Sequence, residues 1–364
     1  MMHFPSQKDF SPNRLIIEEP VAREPLVNRI RQRLPQVSAE FVKDIEQLRG
    51  DRDLDDALLL ARQRGPFLRY CPGTPRHICC LYQNLDVAAG CDMNCTYCIL
   101  QGYLNTPGKT LYVNTGDLFQ ELDKVRLQRT DQFFRIGTGE LSDSMTFDHL
   151  TGFSVDLVEY FSRWQNAIIE LKSKNVHIDH LAALQHNRRT VVSWSVNAEP
   201  ICRSEESGAP TLTDRLQAAA KVQEMGYWLG FHFDPMIWFD GWEDHYRETV
   251  ARIFQFARPD NIAWISLGAL RYPAAMEEVI RERHPHSRIV LGELLPGPDK
   301  KRRYFKTLRI ELFRRMVEWI RAYGYDNGVY LCMESDEVWH KAFGWSPGSS
   351  AGLKKLLDDR VRVR

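Results

Sequence analysis

From about residue 80 onward, short apolar, β-branched runs alternate with segments whose apolar positions recur at helical spacing. The runs predict strands at FFRIGTG (133–139), AIIELKS (167–173), TVVSWSV (190–196), YWLGFHFD (227–234), NIAWISLGA (261–269) and GVYLCME (328–334). Between them DLFQELDKVRLQ, VDLVEYFSRW, TLTDRLQAAAKVQEMG, WEDHYRETVARIFQFA and AAMEEVIRER read as amphipathic helices. The third starts like a capping box, with Thr211 and Asp214 three residues on, carries Leu216, Ala219 and Ala220 on one face, and ends at Gly226. Repeated strand–helix units imply a parallel sheet with right-handed crossovers. Six such units predict an α/β fold, a partial (β/α)6 barrel, with its chemistry at the C-terminal ends of the strands. Upstream, LVNRIRQRL and AEFVKDIEQL show helical spacing, and GDRDLDDALLLARQRG follows. Residues 1–75 are therefore expected to form a polar, helical N-terminal extension. The barrel then spans 76–345, including a C-terminal basic hairpin and helix, and 346–364 form a C-terminal tail.

Composition narrows the functional classes. Of 364 residues, 43% are hydrophobic and 26% charged, a core-forming balance. Lys and Arg number 48, as do Asp and Glu, so no net field steers the chain to nucleic acid or membrane. Any nucleic-acid contact must come from a local basic patch. The start, MMHFPSQKDFSPNR, has neither the apolar segment nor the cleavage site of a signal peptide, and no stretch is apolar for long enough to span a bilayer. A cytoplasmic protein without a membrane partner is expected, and its eight cysteines are expected to be thiols or metal ligands rather than a disulfide framework.

Three of those cysteines crowd into GCDMNCTYCIL, residues 90–100, as C-x3-C-x2-C. Thiolates are soft ligands for iron–sulfur clusters or zinc. A structural zinc site wants four ligands, and neither a second Cys-x2-Cys nor a His-x3-His follows. Three thiolates can hold three corners of a [4Fe–4S] cube and leave one iron open to a small molecule. Gly90 lets the backbone turn closely around such a cluster. The cluster reading outweighs zinc and chance, without excluding them. A second feature, DKKRRYFKTLRIELFRR (299–315), interleaves basic and aromatic residues, the pairing that holds phosphates and stacks on bases. A solvated basic loop leading into a helix explains the same residues equally well.

C-x3-C-x2-C opening a strand–helix chain resembles the radical S-adenosylmethionine enzymes. CPGT followed by ICC (71–80), GCxxxCxYCxLQ (90–101), DHLTG (148–152), ELKSK (170–174), SWSVN (193–197), GFHFDP (230–235) and VYLCMES (329–335) together look like spore photoproduct lyase and its close relatives. They run in order over about residues 70–345. The resemblance implies a radical S-adenosylmethionine barrel with a [4Fe–4S] cluster on Cys91, Cys95 and Cys98. It implies a carbon–carbon lyase that uses S-adenosylmethionine to repair thymine-dimer photodamage in DNA, supplied with electrons by a small flavodoxin- or ferredoxin-type protein. Ser142 and Asp143 match the family's Ser-Asp step, Lys174 a lysine meeting the cofactor's carboxylate, and Ser195 a serine near the same cofactor. Arg303 and Tyr304 match an Arg–Tyr pair on a hairpin that enters the duplex beside the extruded lesion, as a lesion must be turned out before it is reached. Taken alone, Lys174 reads as a solvated strand-end lysine and Ser142 as a helix cap.

The sequence departs from the family at one step. Where the family carries the cysteine that returns a hydrogen atom to the product radical, GTGELSDSM has Glu140. Where it carries a relay tyrosine after the last cluster cysteine, Ile99 stands. Tyr97 is kept. Glu140 and Tyr97 are the candidate catalytic groups, Glu140 as a substrate contact or proton-transfer group or as a structural carboxylate. Two enzyme readings follow, a lyase with another final hydrogen source, or a radical enzyme acting on a different, nucleotide-like substrate. A non-enzymatic metal or redox module is the weakest reading. His232 and Asp234 end a strand, where a histidine is more often a satisfied core group. Cys79, Cys80 and Cys332 are expected to be packing residues, and Cys202, in a polar looped stretch, has no role.

Overall fold

The computed structural model describes residues 9–51 and 53–362. All six predicted strands form, and they lie side by side in chain order. The eight-stranded sheet runs Leu68–Tyr70, Gln83–Leu85, Phe134–Gly137, Ala167–Ser173, Thr190–Ser195, Trp228–Met236, Ile262–Ala269 and Val329–Leu331. Every neighbouring pair is parallel except the first, which is antiparallel. The sheet curls into a half-barrel. Ile168, Leu171, Val191, Leu229, Ile265 and Leu331 are fully buried in it, and the same strands also bury the polar Glu170, Ser193 and His232. Each such apolar side chain contributes about 1.5–3 kcal/mol on burial. The capping box at Thr211 and Asp214 is present on Leu212–Glu224.

The N-terminal segment is not a helical layer. It builds a five-stranded sheet in the order Ser38–Val42, Arg14–Glu18, Ala57–Ala61, Thr110–Tyr112, Ala88–Ala89. Among its described residues only Pro25–Arg33, which takes in all but the last residue of LVNRIRQRL, is a helix of more than two turns. AEFVKDIEQL divides into a strand and the short 3-10 turn Ile45–Leu48. The continuous apolar run ALLLA is a strand buried on both faces. Leu58 and Leu60 pack with Leu15, Val27 and Ile30, whereas Ala57, Leu59 and Ala61 pack with Ile16, Ile45 and Leu54. A doubly buried strand has no period of two, which is why the run did not announce itself. Since this sheet takes in residues 88–89 and 110–112, position 75 is not a structural boundary.

The C-terminal residues are not a loose tail either. Ser350–Val361 is a helix capped by the Ser349 hydroxyl. It buries Leu353, Leu357 and Val361, and its Asp358 accepts from Arg135 Nε at 2.8 Å inside the core. The predicted basic hairpin and helix exist as Leu295–Pro296, Lys301–Arg303 and Lys306–Arg321, the first two pairing antiparallel beside Arg271–Pro273.

Candidate cluster and cofactor site

The C-terminal strand ends bring together loops far apart in sequence. Gly90 has φ +94°, and a Cβ there would lie 3.2 Å from Lys109 Cα, so only glycine turns the chain this tightly. The turn is pinned from the neighbouring strand end. Gly90 N donates to Leu141 O at 2.8 Å, and Ser142 Oγ donates to Gly90 O at 2.7 Å. Cys95 lies on the two-residue strand Asn94–Cys95, which pairs antiparallel with Glu206–Ser207. Cys98 N closes a tight turn onto Cys95 O at 3.0 Å, and Gln101 Nε2 caps Cys95 O and Thr96 O. The three sulfurs therefore belong to one rigidly held loop.

Burial raises the pKa of all three thiols, that of Cys95 to about 12 and that of Cys91 with help from Asp143 and Asp92. Lys174 pulls Cys95 and Cys98 the other way. Thiolates in such a place need compensating positive charge, which a bound cationic metal centre provides. Among the described residues no group of three His, Cys, Asp or Glu side chains is placed to hold one metal ion. Ligands of a multi-iron cluster bind separate irons and need not converge on one point.

Asp143 fixes the next wall. Its carboxylate accepts from Ser173 Oγ at 2.6 Å, Lys174 N at 2.7 Å and Met145 N at 3.0 Å. Lys174 Nζ then stands 5.6 Å over the Tyr97 ring. Burial opposes the lysine's charge, but Cys95 and Glu206 outweigh it and hold its pKa above the ordinary range. The Tyr97 hydroxyl donates to Glu206, and burial with that carboxylate keeps it a phenol. Arg215, fully buried, lies 2.5 Å from Glu206 and donates to Ser195 O at 3.0 Å and Pro210 O at 2.9 Å. Six of the predicted positions (Cys95, Cys98, Asp143, Lys174, Tyr97 and Ser195) thus meet around a buried Lys174–Glu206–Arg215 charge set. Glu206 and Arg215 were missed. Arg215 carried a signal, a cation on the apolar stripe of Leu212, Leu216 and Ala219. Glu206 carried none.

A family model described as spore photoproduct lyase matches residues 80–309. The chain belongs to the spore photoproduct lyase family. It is 31% identical over 224 residues to spore photoproduct lyase of Bacillus subtilis (strain 168), covering 60% of this chain and 64% of that protein, just under two thirds of its length. It is 29% identical over 257 residues to that of Geobacillus sp. (strain Y412MC61), covering 70% of each. A solved mutant of spore photoproduct lyase with bound AdoMet and dinucleoside spore photoproduct aligns with TM-score 0.78 and 25% identity, over 89% of this chain and 99% of that one.

The family's remaining positions fall elsewhere. Glu140 accepts from Asn84 Nδ2. Close by, Arg69 Nε donates to buried Asp86 at 2.5 Å. Burial first, and then Asp86, raises the Glu140 pKa against Arg69 and Lys172, since two carboxylates share little cationic compensation. Ile99 is exposed. His232 is a satisfied core group whose Nε2 donates to Glu170 Oε1 at 2.8 Å. Glu170 also accepts from Tyr82 at 2.7 Å, Trp264 at 2.7 Å and Ser193. Asp234 pairs with Arg271 at 3.1 Å. Cys202 lies not in a loop but buried in the helix Glu199–Glu205.

Arg303 and Tyr304 do not reach outward. Arg303 is 3% exposed and forms an ion pair with Asp299 at 2.6 Å. Tyr304 is 7% exposed, its hydroxyl accepting from Trp238 N at 3.0 Å and its carbonyl from Arg309 at 2.6 Å. The pair anchors the hairpin. The exposed groups at that edge include Leu291, Leu295 and Phe305, with Lys300, Lys306 and the acidic Glu293. No described helix is long and apolar enough to cross a membrane.

Proposed function

We propose that the protein is a radical S-adenosylmethionine lyase that restores thymines from spore photoproduct in DNA. Cys91, Cys95 and Cys98 would hold a [4Fe–4S] cluster, and the donor set fits, being three thiols in one turned loop, Cys95 buried and Cys91 and Cys98 half-buried, with a cation beside them. When bound, the cluster and S-adenosylmethionine supply a 5′-deoxyadenosyl radical. The protein's part is to orient and to exclude water. Lys174 offers a charged donor for the cofactor's carboxylate. Asp143 locks the backbone that carries Lys174, and Ser142 locks the turn into Cys91. Ser195 stands across from them, its carbonyl held by Arg215. The observation that carries the reading is this convergence of family positions around Lys174. DNA would meet the hairpin edge through exposed Phe305, Leu295 and Lys300, with Arg303 and Tyr304 fixing the hairpin from within. Glu140 faces the same mouth as a polar neighbour of the lesion, and a small flavodoxin- or ferredoxin-type protein would supply the electron.

The test is anaerobic. Reconstituted protein with dithionite, S-adenosylmethionine and an oligonucleotide carrying spore photoproduct should yield 5′-deoxyadenosine and free thymine pairs. Cys91→Ala should lose both, together with the brown colour. 5′-Deoxyadenosine without thymine would refute the substrate assignment.

A further inference from the structure

A hydrogen atom must reach the product radical of such a reaction, and Glu140 cannot give one, because a carboxylic O–H bond is too strong. The structure gathers four other thiols where the loop 71–81 crosses the end of the last barrel strand. Cys71, Cys79, Cys80 and Cys332 line one pocket of about 280 Å³. All are free, and none belongs to the Cys91–Cys98 loop. Cys332 directly follows the last barrel strand, Val329–Leu331, at the end that faces the mouth. The loop bearing the other three is tied across that strand end by Ile78 N to Glu334 O at 2.9 Å. The hairpin closes the other side. Thr74 Oγ1 meets Asp299 Oδ2 at 3.4 Å, and Asp299 holds Arg303.

The pocket is not a packing cluster alone. Arg271 Nη2 donates to Cys332 Sγ at 3.3 Å while pairing with Asp234. Cys332 follows the strand Val329–Leu331 and Glu140 follows Phe134–Gly137, parallel strands of one sheet, which places the thiol and the substituted position at the same end of the barrel. Burial raises the pKa of Cys71 to about 11 and raises those of Cys79 and Cys332 as well. They therefore stay protonated at neutral pH, and only an S–H, not a thiolate, donates a hydrogen atom. Cys80 and Cys332 each lie two residues from the antiparallel Ile78–Glu334 bridge and line the same pocket.

Resting on the lyase reading, we propose that Cys332 quenches the product radical and that Cys80 then closes a disulfide with it. The Cys332 S–H bond breaks homolytically, and its hydrogen forms the new C–H bond on the product carbon. The thiyl radical left behind joins the Cys80 sulfur, whose proton goes to solvent. One electron is released to the iron–sulfur centre, which cofactor cleavage had left one electron short. Per lesion, one S-adenosylmethionine and two thiols become methionine, 5′-deoxyadenosine, a disulfide and a proton. An external dithiol must reduce the pair before the next turnover. The scheme uses no tyrosine relay, which agrees with Ile99 at the relay position.

The experiment is a single turnover of full-length reconstituted protein on dinucleoside spore photoproduct, without added thiol. Differential alkylation and mass spectrometry should find a Cys80–Cys332 disulfide in proportion to the thymine restored, and none without substrate. In D₂O the product should carry deuterium. Cys332→Ser should form 5′-deoxyadenosine as the parent does, with thymine yield and deuterium incorporation falling to background. Should that variant fold poorly, the disulfide in the parent protein decides the question unaided. Thymine restored with all four pocket thiols still free, or at parental yield by Cys332→Ser, overturns the thiol assignment alone. 5′-Deoxyadenosine without thymine from the parent protein overturns the lyase reading and this step with it.

Discussion

The mouth of the barrel has two sides, and they are built differently. On the cluster side, Asp143, Lys174, Glu206, Arg215 and Tyr97 form a closed set in which each charge has an opposite neighbour. On the opposite side, Glu140 and Asp86 share Arg69, and the thiol pocket draws on residues 71–80, 271 and 332. The first side resists substitution because any change leaves a buried charge alone. The second has slack, and it is there that a family cysteine position holds a carboxylate. On the proposed reading, a radical site keeps its initiating machinery fixed while the step that ends the reaction is rebuilt.

The sharpest way to break this contrast is Arg215→Met. The Glu206 carboxylate would be buried without its partner, which costs about 3–5 kcal/mol. Urea denaturation should show the loss, and iron incorporation should fall with it. Adding Glu206→Leu should recover part of the stability, since a fully apolar replacement of an ion pair is often tolerated. A loss below about 1 kcal/mol would mean that the charge set is not closed as described.

The two sides also differ in how far the sequence revealed them. The six barrel strands were legible because their short runs alternate with well-formed helices. The Ser142, Asp143 and Lys174 positions came from the family resemblance, since taken alone they read as ordinary strand-end groups, and the structure brings them close to the Cys91–Cys98 loop. What failed has physical causes. The strand Ala57–Ala61 is buried on both faces and shows no alternation. Arg303 and Tyr304 sit in a basic, aromatic segment, yet Asp299, four residues upstream, turns the arginine inward. The thiol pocket was invisible because no local pattern links Cys71 and Cys80 to Cys332. The Ile78–Glu334 bridge brings them together, with Thr74 Oγ1 on Met333 Sδ at 3.3 Å.

Glu170 offers a test beneath both sides. Burial opposes its ionisation, but His232, Ser193 and Tyr82 hold its pKa down to about 2. A carboxyl depressed in the fold stabilises it above the ordinary glutamate pKa, and that contribution is lost as pH falls toward 2. Glu170→Gln should therefore cost about 1.5–3 kcal/mol near neutrality, the worth of hydrogen bonds to a charged group. The gap between parent and variant should narrow as denaturation is followed into acid. A gap constant with pH would mean that the carboxylate is not the ionised hub of that network.

The smallest expected effect belongs to Glu140→Gln, and it separates the two sides most directly. Burial and Asp86 raise the Glu140 pKa, so its ionised form weakens the fold. Parent stability should fall as pH rises from the ordinary glutamate pKa through the raised one, the reverse of Glu170. Glutamine removes the titrating proton and keeps an oxygen for the Asn84 amide. The variant should stay within about 1 kcal/mol of the parent and lack that downward slope, read from urea midpoints across the acid range. A drop as large as that of Arg215→Met would make Glu140 part of a closed charge set, and the two sides of the mouth would then be built alike.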